Sequence, residues 1–247
     1  VAVKNMPADG YTLLCITNTL LINGLLSKKP PYDALRDFIP VARVTYNPLA
    51  MVVSGQSQFR SFKDLIDYMK ANPDKVSFAT SGKGAQSQLE VEFIKGVFGV
   101  KAVDIPYKST ATAVADTITG TVAFYMTGFA TIYPNIASGK LRALAVGTPQ
   151  RVPEAPDLPT FIEVTGVPNY LPAAWFGFAV VAGTPANAVS KLEEGILRTM
   201  AAPVTQERVV RLKQNLLVQG SRELAADMRA ENDKWAKLIV ELNLKTD

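Results

Sequence analysis

The sequence contains no histidine among its 247 residues and a single cysteine, Cys15. A Ser-His-Asp or Cys-His nucleophilic site cannot be built without histidine, and neither can a zinc site with a histidine ligand. One cysteine forms no disulfide within the chain. Because Cys15 lies in the apolar run Tyr11–Ile16, we expect a small buried side chain rather than a nucleophile. These absences exclude the commonest hydrolytic centres.

Charged residues are also few, at 19% against 48% apolar residues, a balance that excludes a disordered chain. The net charge of +4 is scattered without a run of five, so the sequence indicates neither nucleic-acid binding nor a polybasic membrane patch. The longest uncharged apolar stretch, residues 173–183, is shorter than the roughly 18 residues that a membrane span needs. The N-terminus lacks the features of a signal peptide, so we expect that none exists or that it has been removed.

Short apolar segments alternate with amphipathic segments along the chain. This repetition predicts an α/β fold with mostly parallel sheets in one or two domains. Helices are predicted to begin near Ser61, where Asp64 completes a weak capping box, and near residues 85, 113, 129, 185 and 221. Strands are predicted at Tyr11–Ile16, Val41–Val44, Leu49–Val53, Val76–Thr80, Ala102–Tyr107, Val122–Met126, Leu141–Val146 and Trp175–Val181.

The segment Thr80–Ser87 joins a predicted strand to a predicted helix through a glycine-containing turn. Glycines permit a sharp turn, after which the first N–H groups of the helix and its dipole favour an anion. An ordinary strand-to-helix turn, with glycines that only relieve strain, explains the same pattern. The anion hypothesis places ligand contacts at Ser81, Gly82, Gly84, Ala85 and Gln86.

The same turn admits a nucleotide-binding interpretation, which would make the chain an α/β enzyme. Gly82 and Gly84 match the first two glycines of G-x-G-x-x-G, and Asp104 follows at about the spacing of a ribose-binding acid. Ser87 stands where the third glycine belongs. We therefore keep an enzyme that binds a nucleotide or phosphorylated substrate as the alternative, and an interaction module without a small ligand as a further one.

Polar residues also follow other predicted strands. Thr17 and Asn18 come after the first strand, and Thr127 follows Val122–Met126. In open α/β sheets ligands bind at the carboxyl ends of strands, so these three residues join the candidate binding site. None of them pairs a nucleophile with a base, and we predict no catalytic residue, metal or cofactor.

Several motifs, in order along the whole chain, carry a resemblance to a known family. They are Pro7–Leu14, Tyr32–Ala42, Ser81–Gly84, Ile105–Lys108, Gly139–Val146, Trp175–Gly177 and Ala182–Pro185. With these motifs the sequence resembles the Bug family, the extracytoplasmic solute-binding receptors of tripartite tricarboxylate transporters. A neutral Thr127 at a position that is commonly aspartate in the family argues against amino-acid ligands.

The resemblance implies a two-lobed periplasmic-binding-protein fold of type II-like character. Lobe 1 would comprise residues 1–49 and 171–247 and lack the family's first strand, loop and helix, and lobe 2 would comprise residues 50–170. It also implies a non-enzymatic periplasmic receptor that holds a small di- or tricarboxylate or aromatic acid between the lobes. Such a receptor delivers its ligand to integral-membrane transporter subunits, and we expect it to be a monomer without nucleic-acid partners.

Overall fold

The computed structural model describes residues 2–27, 29–82, 85–168, 170–211 and 214–241, with the side chains of residues 238 and 241 outside the description. It divides the chain into two compact units. Unit 1 comprises Val1–Tyr46 and Ala174–Asp247, and unit 2 comprises Asn47–Ala173. The strands Phe38–Ser54 (β2) and Ala173–Val181 (β7) contribute residues to both units.

Unit 1 contains, besides its parts of β2 and β7, the elements β1 (Leu14–Thr17), α1 (Thr19–Leu26), α7 (Ala186–Ala201), α8 (Pro203–Arg211), β8 (Asn215–Gly220) and α9 (Ser221–Glu241), after a 3-10 turn at Val3–Asn5. Its sheet has the strand order β1–β7–β2–β8, in which β1 is antiparallel to β7 and β8 is antiparallel to β2. Helices cover this sheet, and its core includes the buried side chains of Trp175, Leu224 and Met228.

The expectation that Cys15 is buried is wrong. Successive side chains of a strand point to opposite faces, and β1 buries Ile16 at 2% exposure while Cys15 is exposed. Tyr11 and Leu13 lie on the same exposed side as Cys15. Because these exposed positions also carry apolar residues, the sequence of the run Tyr11–Ile16 does not reveal the alternation.

Unit 2 contains, besides its part of β2, the elements α2 (Phe62–Ala71), β3 (Ser77–Thr80), α3 (Gln86–Phe98), β4 (Val103–Pro106), α4 (Thr110–Thr119), β5 (Phe124–Gly128), α5 (Phe129–Ala137), β6 (Leu141–Val146) and α6 (Phe161–Thr165). Its described strands form a sheet of order β6–β2–β5–β3–β4 with helices on both faces. Met51 and Val53 of β2 face the core cluster that contains Leu65 and Ile94, whereas Ala50 and Val52 face the opposite cluster.

The α/β class is confirmed, but the strand directions are mixed where the sequence predicts mostly parallel sheets. Strands β3, β4 and β5 are parallel, whereas β2 is antiparallel to β5, β6 and β8. The two predicted strands Val41–Val44 and Leu49–Val53 form this one strand, β2. It continues through Pro48 because its partners change there, from β8 on one side of the proline to β5 and β6 on the other.

Candidate functional site

The carboxyl ends of β3, β4 and β5 lie at one edge of the unit 2 sheet, because these three strands are parallel. Helices α3, α4 and α5 begin just beyond those ends. The antiparallel strand β2 enters at the same edge, where Leu49 pairs with Gly128. We call this region the carboxyl edge. Three helix N-termini at one edge create a partly positive environment that favours an anion.

Asp104 fixes the turn that follows β3. Its Oδ1 accepts a hydrogen bond of 2.6 Å from Oγ1 of the fully buried Thr80, and its Oδ2 accepts one of 2.6 Å from Nε2 of Gln88. Thr80 Oγ1 in turn accepts a bond of 3.3 Å from the N–H of Gly82. The carboxylate thus connects the end of β3 to the first turns of α3. The nucleotide alternative assigned this carboxylate to a ribose, but here it serves two internal donors.

Gly82 is required by backbone conformation rather than by crowding. Its φ of +109° lies in a region that residues with a Cβ rarely adopt, yet a Cβ built there would meet no atom within 4 Å. The neighbouring Ser81 is exposed. Gly84, the other predicted glycine of the turn, lies outside the described residues. A glycine at position 82 therefore permits the sharp turn that follows β3.

Within the described residues, the first turn of α3 leaves some, but not all, of the expected backbone donors without an acceptor. The N-cap residue Ala85 provides no side-chain cap, and its own N–H donates to the carbonyl of Gly82 at 3.1 Å. The N–H of Gln88 donates to the carbonyl of Ala85 at 3.0 Å. Helix geometry gives the N–H groups of Gln86 and Ser87 no intrahelical acceptor. These two groups, rather than that of Ala85, face outward from the helix terminus.

The side chain of Gln86 has a structural contact. It is 8% exposed, and its Nε2 donates to the carbonyl of Ala173, the residue that ends unit 2. Ser87 is equally buried, and its Oγ has no hydrogen-bond partner among the described residues. In the sequence, Ser87 stands out only because it occupies the third glycine position of the G-x-G-x-x-G pattern. Since buried polar atoms are nearly always paired, the Ser87 hydroxyl belongs among the candidate residues.

Thr127 and Asn47 lie at the same edge. Thr127 is 8% exposed and pairs with Ala50 within β5, one residue before the strand ends. Asn47 is 8% exposed and packs against Gly128, where an added Cβ would collide with the Asn47 amide. The Asn47 Oδ1 is buried without a hydrogen-bond partner in the described part of the chain. No signal in the sequence identifies Asn47 as a candidate, because a polar residue before proline is typical of a turn.

The turn after β4 is occupied by internal contacts. The hydroxyl of Tyr107 donates to Asp116 Oδ2 at 2.7 Å, and burial, together with this bond, raises the pKa of Tyr107 to about 12. Ser109 is the N-cap of α4, and its Oγ accepts from the N–H of Thr112 at 3.2 Å. These side chains shape the carboxyl edge without presenting a reactive group.

The two predicted residues of unit 1 lie between β1 and α1. Thr17 ends β1, and its Oγ1 accepts a bond of 3.3 Å from the N–H of Thr19. Asn18 is 1% exposed, and its carbonyl accepts from the N–H groups of Leu21 and Ile22 at 3.1 and 3.2 Å. Both residues therefore help to start α1.

The described residues contain no cluster of three or more His, Cys, Asp or Glu side chains suited to a metal ion. They also contain no helix with the length and apolar character needed to cross a membrane.

Comparison with known proteins identifies the family. A family model described as tripartite tricarboxylate transporter family receptor matches residues 2–244. The chain belongs to this family. A UPF0065 protein of Bordetella bronchiseptica is 35% identical over 246 residues, which are 99% of this chain and 72% of that protein.

Solved structures of family members share the fold. The R. palustris protein Rpa4515, solved with adipate, superimposes with a TM-score of 0.85 at 28% identity, covering 98% of this chain and 81% of that one. The periplasmic binding protein BugD superimposes with a TM-score of 0.85 at 31% identity, covering 99% and 82%. The resemblance stated from the sequence is confirmed, and the family's members are periplasmic solute-binding receptors. The nucleotide-binding alternative is not favoured.

Proposed function

We propose that this receptor captures a small dicarboxylate and delivers this ligand to the membrane subunits of a transporter. One carboxylate of the ligand binds at the carboxyl edge of unit 2. The observation that carries the proposal is the start of α3. There Asp104 holds Thr80, Thr80 accepts a hydrogen bond from the N–H of Gly82, and a 13-residue helix begins at Gln86 with N–H groups that have no intrahelical acceptor. The adipate-bound relative supports a dicarboxylate as the ligand class.

Backbone donors suffice to hold a carboxylate at this position. The N–H groups of Gln86 and Ser87, together with the helix dipole, stabilise a negative charge at the start of α3. We include Ser81 and the Ser87 and Thr127 hydroxyls as neutral hydrogen-bonding groups around the anion. A neutral Thr127 offers no counter-charge to a ligand ammonium group, which favours acids without an amino group.

The remaining features of the proposal concern the whole receptor. We propose that units 1 and 2 are its two lobes, and Thr17 and Asn18 remain the predicted ligand residues of unit 1. We further propose that the receptor is monomeric, performs no chemistry on its ligand and needs neither a metal nor a cofactor. Analytical ultracentrifugation of the purified chain tests whether the receptor is monomeric.

Calorimetric titration of the purified chain tests the function. We expect saturable one-to-one binding of adipate, weaker binding of L-aspartate because of its ammonium group, and no binding of ATP. Tight ATP binding without any carboxylate response would establish the enzyme alternative. A chain that binds no compound of a panel of aliphatic diacids, tricarboxylates and aromatic acids would contradict the receptor proposal and favour an interaction module.

A further inference from the structure

A groove with a volume of about 870 Å³ lies beside the edge strand β6 of unit 2 and reaches the end of the sheet opposite the carboxyl edge. Leu141, which lines it, pairs with Ser54 at the end of β2, and the adjacent Val53 pairs with Phe124, the first residue of β5. Thr127 lies near the other end of β5. The groove is within the range of about 300–1,000 Å³ typical of ligand sites. It is separate from the proposed carboxylate site.

The floor of the groove is apolar. Phe62, Leu141 and Leu144 line it and are at most 3% exposed. The ring of Phe98 also lines the groove and packs edge-on against Phe62, with ring centroids 5.6 Å apart. Such a floor favours a hydrocarbon chain rather than a polar solute.

Cations stand at both ends of this floor. Arg60 lies just before α2 and Lys70 lies in its last turn, so at 1.5 Å per helical residue their backbones are about 15 Å apart. Lys70 Nζ is 5.9 Å from the centroid of the Phe98 ring. Within the described residues neither Arg60 nor Lys70 forms an ion pair, whereas Lys63, between them, pairs with Asp67.

The other charged groups of the groove do not provide a third anion site. Arg142 donates to the carbonyls of Gly55, Ser57 and Phe59 at 2.9–3.3 Å, so its guanidinium is held by the backbone. Asp157 lines the loop side, where its charge attracts that of Arg151, although Arg151 forms its ion pair with Glu163. On the α2 side Lys63 is paired with Asp67, so the described cations there without an ion pair are Arg60 and Lys70.

We propose that this groove binds a long-chain α,ω-dicarboxylate, with its carboxylates at Arg60 and Lys70 and its methylene chain on the Phe62–Phe98 floor. The two cations require two anionic ends, and the apolar floor requires a hydrocarbon between them. Dodecanedioate serves as the probe, because its extended chain is about as long as the separation of the Arg60 and Lys70 backbones along α2. The inference does not depend on the carboxyl-edge proposal, because the two sites share no residue.

Calorimetric titration with dodecanedioate tests the proposal, with dodecanoate and the corresponding uncharged diol as matched probes. We expect dodecanedioate to bind most tightly and the diol least. Arg60→Gln and Lys70→Gln should each weaken dodecanedioate binding roughly threefold, and together about tenfold, as expected for partly exposed charge pairs. Lys75→Gln, an exposed lysine outside the groove, is the control and should change nothing.

Adipate distinguishes this groove from the carboxyl edge. We expect the three lysine and arginine variants to bind adipate as the unmodified chain does, and saturating adipate not to displace dodecanedioate. The proposal is overturned if dodecanedioate fails to bind, if adipate displaces it, or if dodecanoate binds equally well. It is also overturned if Lys75→Gln weakens binding as much as Arg60→Gln and Lys70→Gln do.

Discussion

Replacement of Gly82 by alanine separates a ligand-binding role of the α3 turn from a structural one. The backbone of Gly82 has a φ of +109°, and a Cβ there would meet no atom within 4 Å. Steric collision with neighbours therefore does not contribute, and the whole effect of the substitution comes from backbone strain.

The magnitude follows from that strain. A residue with a Cβ held in such a conformation costs on the order of 1–3 kcal/mol. The turn can relax to avoid this cost, but relaxation moves the backbone in front of the Gln86 and Ser87 N–H groups. Since about 1.4 kcal/mol corresponds to a tenfold change in affinity, we expect Gly82→Ala to weaken adipate binding between about fivefold and a hundredfold.

Gly99 provides the matched control. It caps the other end of α3 with a φ of +63°, and a Cβ there would also meet nothing within 4 Å. Gly99→Ala should lower the free energy of unfolding by about 1 kcal/mol and leave adipate affinity unchanged. Calorimetric titration and urea unfolding of both variants supply the measurements. If Gly82→Ala loses stability as Gly99→Ala does yet keeps full affinity, the anion does not bind at this turn.

Three further predictions concern single side chains. The Asn side chain of Asp104→Asn cannot accept the hydrogen bonds of both Thr80 and Gln88. Urea unfolding should therefore show a free energy of unfolding lower by about 1–3 kcal/mol, and titration should show weaker adipate binding. If neither quantity changes, Asp104 does not position the turn. Thr127→Asp should weaken adipate binding at least tenfold by charge repulsion, whereas Thr127→Asn should not; equal effects would contradict an electrostatic cause. The Arg151 hydrogen bond lowers the pKa of Glu163 from 4.5 to about 2, so its stabilising contribution is present above pH 4.5 and lost as the pH falls toward 2. Thermal melts of Glu163→Gln and the unmodified chain should therefore differ more at pH 7 than at pH 2, and a constant difference would refute the ion-pair explanation.

Elements with local signals could be predicted from the sequence. Helix α2 begins after Ser61, whose side chain and Asp64 form the capping box that their spacing indicates. The glycine after α3 adopts the left-handed conformation expected of a C-cap. By contrast, the sequence predicts two strands in place of β2. The change of strand partners at Pro48 depends on β5 and β8, which lie far away in the chain.

The glycine-containing turn of the candidate site could be predicted from the sequence, whereas the buried side chains around it could not. Gly82 is recognisable because a strand-to-helix turn with glycine has a local signature. The contact of Gln86 with Ala173, 87 residues away, has none, and neither has the burial of the Asn47 and Ser87 side chains. Which polar groups of a turn face a ligand is decided by tertiary contacts, which composition and spacing do not encode locally.

A crystal structure of the chain with adipate tests the central claim most directly. The account predicts one carboxylate of adipate at the start of α3, within hydrogen-bond distance of the backbone nitrogens of Gln86 and Ser87 and in front of Gly82. An adipate carboxylate bound elsewhere, with the N-terminus of α3 facing solvent, would contradict it.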